Sequence, residues 1–261
     1  IENKHGLKIN ISFCPERIVQ GKGLEEIKLL PQIISGTTEK ALNAAKDIFS
    51  KISPKLIVAS TREAEFSKLI CNSFRYIEFA ATNQLYMLAE SEGLNYNKVL
   101  KLVKEDYPRT INLPGPGFAG GPCLMKDTLQ LFSLGKHKFP LGQIAVSINE
   151  SLPNFLVNQL KLKYKSIKNK KIGILGMAFK ADSDDKRDAL SYKLKKLLEF
   201  EGSDVKCSDM YIDDPTFIST EMLLKRSEII IVGVVHKEYK NIILPNKVDL
   251  FDMWGMINHG Q

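Results

Sequence analysis

The residues best suited to chemistry in this chain are one cysteine, two lysines and a few acids set among glycines. In "LPGPGFAGGPCLMKDT", residues 113 to 128, four glycines and three prolines lead to Cys123. A helix pattern starts there, so the thiol is expected at the positive end of a helix with Lys126 one turn on. Both favour the thiolate, the nucleophilic form. Asp127, four residues on, shares the helix face of Cys123 and could orient a water or take a proton. The competing reading is a buried structural cysteine in a tight turn.

Lys68 and Asn72 are four residues apart on a long helix pattern. An ammonium and an amide on one face can polarise an oxyanion and hold a water; a plain surface pair is the alternative. "CPER", residues 14 to 17, offers Glu16 as a general base with Arg17 as its possible partner, or merely a structural pair.

"GPGFAG", residues 115 to 120, spells the dinucleotide pattern G-x-G-x-x-G. That reading fails, because no apolar strand precedes it and no acid stands about twenty residues on. A Walker loop is excluded too, since no Lys-Ser or Lys-Thr follows the last glycine. "GILGMAFKADSDDKRDALS", residues 173 to 191, does have the strand-turn-helix shape of a phosphate site, with Gly173 and Gly176 but no third glycine. Lys180 and Arg187 are expected near phosphates there, unless the segment is only a solvated charged loop.

These candidates need elements to hold them. Strands are expected at 9 to 14, 31 to 36 and 54 to 60, with a helix at 38 to 52 capped by Thr37 or Thr38. A helix from about Arg62 to Glu92 carries a stripe of Phe66, Ile70, Phe74, Ile77, Ala81, Leu85 and Leu88. Further helices are expected at 95 to 106, 123 to 135 and 141 to 165, the last interrupted only by Pro153. Strands at 170 to 179, 204 to 209, 228 to 235 and 247 to 253 then alternate with helices at 188 to 202 and 219 to 227. That order implies a parallel, doubly wound sheet, which takes ligands beyond the carboxyl ends of its strands.

Composition limits the classes. At 261 residues, 44% hydrophobic and 26% charged, the chain reads as one or two globular domains. Its longest strongly apolar run, residues 229 to 235, is too short to span a bilayer, and no secretory signal is visible. Cys14, Cys71, Cys123 and Cys207 lie far apart, without zinc-finger spacing, so no metal site is expected and a reducing, cytoplasmic setting fits. The net charge of +7 sits partly in "KLKYKSIKNKK", residues 161 to 171. It lacks the aromatic interleaving of a nucleic-acid surface but would steer an anionic small substrate.

Four blocks in order, "CPERIVQG", "EAEFSKLICNSF", "GPGFAGGPCLMKD" and "GILGMAFKADSDDKRD", resemble the nucleotide-sugar 6-dehydrogenases of the UDP-glucose/GDP-mannose dehydrogenase family. The spelling leans towards the UDP-N-acetylhexosamine branch. The resemblance implies an α/β fold in four parts. Residues 1–60 would be the end of a Rossmann-like NAD-binding domain, and 61–140 a central helical dimerisation domain. Residues 141–168 would be a connecting helix, and 169–261 a doubly wound parallel-sheet UDP-binding domain. It implies oxidation of a UDP-sugar C6 alcohol to the carboxylate with two NAD+. Cys123 would carry a thiohemiacetal and then a thioester, Lys68 would stabilise oxyanions, and Asn72 and Asp127 would place water. Glu16 would act as base in hydrolysis. Arg109, Phe118, Gly120, Phe179 and Lys180 would bind substrate, Arg109 reaching a partner in a homodimer, and Arg187 would contact the NAD pyrophosphate.

Three departures from the family pattern stand out. The loop from Phe118 to Cys123 is one residue longer than the common spelling. Gln20 replaces a second glutamate. The amino-terminal glycine fingerprint is absent, and the chain starts at Ile1, so a fragment with little turnover alone is expected. Two alternatives stay open: a non-catalytic UDP-binding dimerisation remnant, and a 6-phosphogluconate-type dehydrogenase, which needs no cysteine.

Overall fold

The computed structural model describes residues 9–136 and 138–257. They form two compact units that divide between Asn72 and Ser73.

In the first unit, α1 (Gly23–Leu29) leads to β1 (Gln32–Ile34), α2 (Glu39–Phe49) and β2 (Leu56–Val58). β1 and β2 pair in parallel, Ile33 opposite Ile57. α2 starts at Thr38, whose hydroxyl accepts the Ala41 N–H, the local bond that makes threonine a good N-cap. The expected strand at 9–14 does not form. Ile11 instead accepts one bond from the Thr37 amide at 2.8 Å and gives its own N–H to the Thr37 hydroxyl. A side-chain oxygen thus takes the place of a ladder partner. α3 (Thr61–Ser91) begins here with a reciprocal cap. The Ser60 hydroxyl accepts the Glu63 amide, and the Glu63 carboxylate accepts the Ser60 amide at 2.9 Å.

The second unit contains the rest of α3, then α4 (Tyr96–Lys104), α5 (Leu124–Leu134) and α6 (Pro140–Tyr164). Pro153 lies inside α6 without ending it. An α/β sheet follows: β3 (Lys171–Leu175), α7 (Leu190–Phe200), β4 (Asp204–Ser208), α8 (Thr220–Arg226), β5 (Ile229–Val232), a 3-10 turn (Lys237–Asn241) and β6 (Asp249–Phe251). The strand order is β4-β3-β5-β6, all parallel.

Both faces of this sheet are buried, as its near-continuous apolar strands require. Ile172, Ile174, Ile229 and Ile231 pack with Leu152, Leu156 and Leu160 of α6 and with Leu190, Leu194 and Leu198 of α7. On the other side, Leu175, Ile230 and Val232 pack with Leu223 of α8 and with Tyr239. The order reverses beside β3, so the crevice outside the ends of β3 and β5 is the expected ligand position.

The helical stripe expected on α3 is present but lies largely on the exposed side of the helix. Phe66, Ile70, Phe74, Leu85 and Leu88 are all exposed, Phe74 and Leu88 each by 60%. The buried side carries Ala64, Leu69, Ser73, Tyr76, Ala80, Asn83 and Tyr86. Periodicity shows that a helix has an apolar side, not what covers it.

Candidate active site

In the first unit, Lys68 and Glu16 come together. The Lys68 ammonium donates to the Glu16 carbonyl oxygen at 2.5 Å and stands 3.7 Å from its carboxylate. Arg17 is not the partner of Glu16; its guanidinium donates to the Pro31 carbonyl. Asn72 lies on the same helix, half-buried and four residues from Lys68.

In the second unit, Cys123 is exposed and occupies the N-cap of α5. Its side chain makes no capping hydrogen bond. Its carbonyl accepts the Asp127 amide at 2.9 Å. Asp127 is buried, 5% exposed, with the Lys126 ammonium 3.2 Å from its carboxylate. The exposed thiol thus stands at the start of α5, with a buried acid one turn on.

The loop that delivers Cys123 is packed against protein at three of its four glycines, Gly117, Gly120 and Gly121. A Cβ on Gly117 would lie 2.1 Å from the Trp254 ring, and one on Gly120 would lie 2.7 Å from the Asp188 carbonyl oxygen. Gly121, at φ +96°, lies under the Phe179 ring, and its amide donates to Asp188 at 3.3 Å. Phe118 is 7% exposed and belongs to the main core. Phe118 and Gly120 thus fix the loop against the sheet's own segments. Phe179 is half-buried beside it.

A buried amide relay holds the same loop from the helical side. Asn83 of α3 accepts the Gly117 N–H at 2.9 Å and donates to the Gly117 carbonyl at 2.9 Å. Its remaining N–H goes to the Asn149 side-chain oxygen at 2.9 Å, and Asn149 donates to the Tyr76 carbonyl at 3.1 Å. Both asparagines escaped the sequence reading, since an isolated Asn in a helix carries no signal of its pairing.

The turn after β3 does not offer its amides to a phosphate. Gly176 donates to the Ser208 carbonyl and Phe179 to the Asp185 carbonyl. Met177 and Ala178 both donate to the Asp209 carboxylate, at 2.6 and 3.1 Å. α7 begins only at Leu190, so no helix end stands in the turn. Burial pushes the Asp209 carboxyl up, but hydrogen bonds from His236 and from the Met177 and Tyr211 amides prevail and hold it at about 2. His236 is fully buried; its Nε2 lies 3.1 Å from Asp209, and its Nδ1 accepts the Asp182 amide. An acid closing the second strand of a βαβ unit is a known place for polar recognition, so Asp209 was findable. His236 was not.

Arg187 is exposed and makes a two-pronged pair with Asp185. The Asp185 bond and charge, and after them the Cys123 side chain, push the guanidinium above its ordinary value. Arg109 is exposed in the turn after α4, its guanidinium 5.5 Å from the Tyr107 ring centre. Lys180 is half-buried on the segment after β3. Among the described residues no cluster of three or more His, Cys, Asp or Glu could hold a metal. Nor is any helix long and apolar enough to cross a membrane.

An exposed cysteine at a helix start, on a loop packed against the segments of a parallel sheet, is set in an α/β protein whose family the comparisons give. Residues 62–151 match the central domain of the UDP-glucose/GDP-mannose dehydrogenase family, and residues 173–259 match its UDP-binding domain. The chain belongs to that family.

A UDP-N-acetyl-D-mannosamine dehydrogenase of Pyrococcus horikoshii is 32% identical over 252 residues, which cover 93% of this chain and 60% of that protein. The protein of the same name from Methanocaldococcus jannaschii is 32% identical over 239 residues, covering 90% and 55%. The solved UDP-D-ManNAc dehydrogenase of Pyrococcus horikoshii superposes with a TM-score of 0.88 at 28% identity, covering 99% of this chain and 65% of that one. A UDP-N-acetyl-mannosamine dehydrogenase from Staphylococcus aureus gives 0.85 at 26% identity, covering 99% and 64%. The chain thus spans roughly three-fifths of the length of these relatives.

Proposed function

We propose that this chain supplies the reacting cysteine and the nucleotide-sugar sheet of a UDP-sugar 6-dehydrogenase of the N-acetylhexosamine type. The observation that carries the reading is Cys123: exposed at the start of α5, on a loop packed against Phe179 and Asp188 of the UDP-binding domain. In this reading the Cys123 thiolate adds to C6 at the aldehyde level, forming a C–S bond and a thiohemiacetal. Oxidation at that carbon leaves a thioester. Water cleaves it, the C–S bond breaks, the thiolate leaves, and the sugar departs as a carboxylate. Asp127 holds the water, the Lys68 ammonium steadies the oxyanions, and Glu16 takes the proton from water. Phe118, Gly120, Phe179, Lys180 and Arg109 bind the UDP-sugar.

NAD+ is the acceptor of the two hydrides in this proposal. The described residues do not build a cradle for its pyrophosphate, because the amides of the one strand-turn-helix segment shaped for it are already bonded to Ser208, Asp209 and Asp185. Arg187 is the residue here suited to touch it. The exposed stripe Phe66, Ile70, Phe74, Leu85 and Leu88 supports a homodimer through α3. Phe74→Glu is then expected to lower the sedimentation coefficient to that of one chain.

The direct test is a panel of UDP-sugars with NAD+ and the longest reading frame containing this chain. Two NADH per sugar, with a uronate as product, is the expected outcome for one N-acetylhexosamine substrate. No turnover with any sugar would refute the proposal.

A further inference from the structure

We infer that Asn83 is a positioning residue for Cys123: through Gly117 it sets the loop that places the thiol at the start of α5. The inference rests on Cys123 being the reacting group. Asn83 is 1% exposed and Asn149 is fully buried, so neither relies on water for its bonds. The orientation of the Asn83 amide is dictated by its surroundings. Its oxygen meets an N–H, and its nitrogen meets two oxygens, the Gly117 carbonyl and the Asn149 side chain. Every hydrogen-bonding direction of the Asn83 nitrogen is used.

This pairing copies one rung of a β-ladder with a side chain. It grips the loop where no strand neighbour exists, six residues before Cys123. The Trp254 ring fills the space a Gly117 side chain would take, so the backbone there meets both an amide and a ring. Asn149 on α6 acts as a strut. Bonded to the Tyr76 carbonyl, it prevents Asn83 from turning its amide over. Removing Asn83 would leave the Gly117 N–H and carbonyl buried without partners, a condition the loop can relieve only by moving.

The test uses iodoacetamide on Cys123 with Cys71 and Cys207 as internal standards, and peptide mass spectrometry to assign each rate. Cys71 is exposed and reports general reagent access. Cys207 is 1% exposed, and burial pushes its thiol up to about 12, so it reports global opening. Asn83→Asp keeps the shape but removes both donors, turning two hydrogen bonds into contacts between acceptors. Alkylation of Cys123 is expected to fall about tenfold, as the thiol leaves its exposed place at the start of α5. Cys71 keeps its rate and Cys207 stays unreactive.

Asn149→Leu removes only the strut and is expected to give about a threefold fall. If Asn83→Asp exposes Cys207, the strut variant decides by the same criteria. A Cys123 rate that rises or stays within about twofold of the unsubstituted protein overturns the inference. So does reactivity of Cys207 in both variants, which would make the relay a matter of folding alone. A Cys123→Ser protein that still makes carboxylate would remove the proposed reaction, yet leave the labelling result standing for the loop.

Discussion

The second unit contains two glycine turns whose spellings and roles are crossed. Residues 115 to 120 spell G-x-G-x-x-G, yet they follow no strand and stand three residues ahead of a cysteine. The turn at Gly176 follows a strand in a parallel sheet, the position where a phosphate is commonly held, yet its amides are bonded to Ser208, Asp209 and Asp185. In the first loop the space left by glycine is filled by Trp254, Phe179 and the Asp188 backbone. In the second it lets Gly176, at φ +87°, pass beside Val234. A glycine pattern records a need for space; the occupant, ligand or protein, comes from residues distant in sequence.

The contrast predicts a reactive loop and an internally satisfied turn, and substitution tests it most severely at Cys123. Cys123→Ser is expected to cut carboxylate formation by on the order of 10³-fold, followed as NADH with a UDP-sugar. Unchanged turnover would make the loop as purely structural as the turn.

Gly120→Ala comes next. Its methyl would lie 2.7 Å from a backbone oxygen, that of Asp188, which cannot swing aside. A loss of about 2–3 kcal/mol in urea unfolding is expected. A loss under about 1 kcal/mol would show that the two segments separate easily.

At the other turn, Asp209→Asn is expected to lose about 2 kcal/mol near neutral pH. The Asp209 carboxyl is held at about 2 against an ordinary 3.8. Its contribution is therefore complete above the unfolded value and disappears as pH falls from about 4 towards 2. Thermal unfolding across that range should show a shallower acid limb in the variant; an identical limb would contradict the role given to Asp209.

The smallest effect is expected at Gly115, where a Cβ meets nothing within 4 Å. Gly115→Ala should change stability by no more than about 0.5 kcal/mol in the same urea experiment. A large loss would mean that this glycine, too, is needed for packing.

Much of the fold was legible because its signals are local. Thr38 and Ser219 mark helix starts through bonds three residues long, and the sheet strands announce themselves as apolar runs wrapped on both faces. α1 was not legible: its seven residues bury no side chain, so it carries no periodic signal. The stripe on α3 was legible as apolar, but its exposure was not, because the hydrophobic effect requires cover without naming its source. In the candidate site, Cys123, Asp127, Lys68 and Glu16 were visible from residue type and spacing. Asp209 was overlooked although its place after a strand marked it, whereas Asn83, Asn149 and His236 carried no signal, because their importance lies in bonds spanning from 27 to 73 residues of sequence.

By itself the sequence determined the order of strands and α-helices in the second unit, the helix that starts at Cys123 and the four blocks that mark the family. These follow from backbone propensity, capping and spacing, all short-range. Only the tertiary structure decided that Lys68 rather than Arg17 meets Glu16 and that the Cys123 loop hangs from Asn83 and Trp254. It also decided that the phosphate-shaped turn is already filled by Asp209. Each of those outcomes depends on which distant group reaches a buried polar atom first, and burial makes that choice costly to leave unmade.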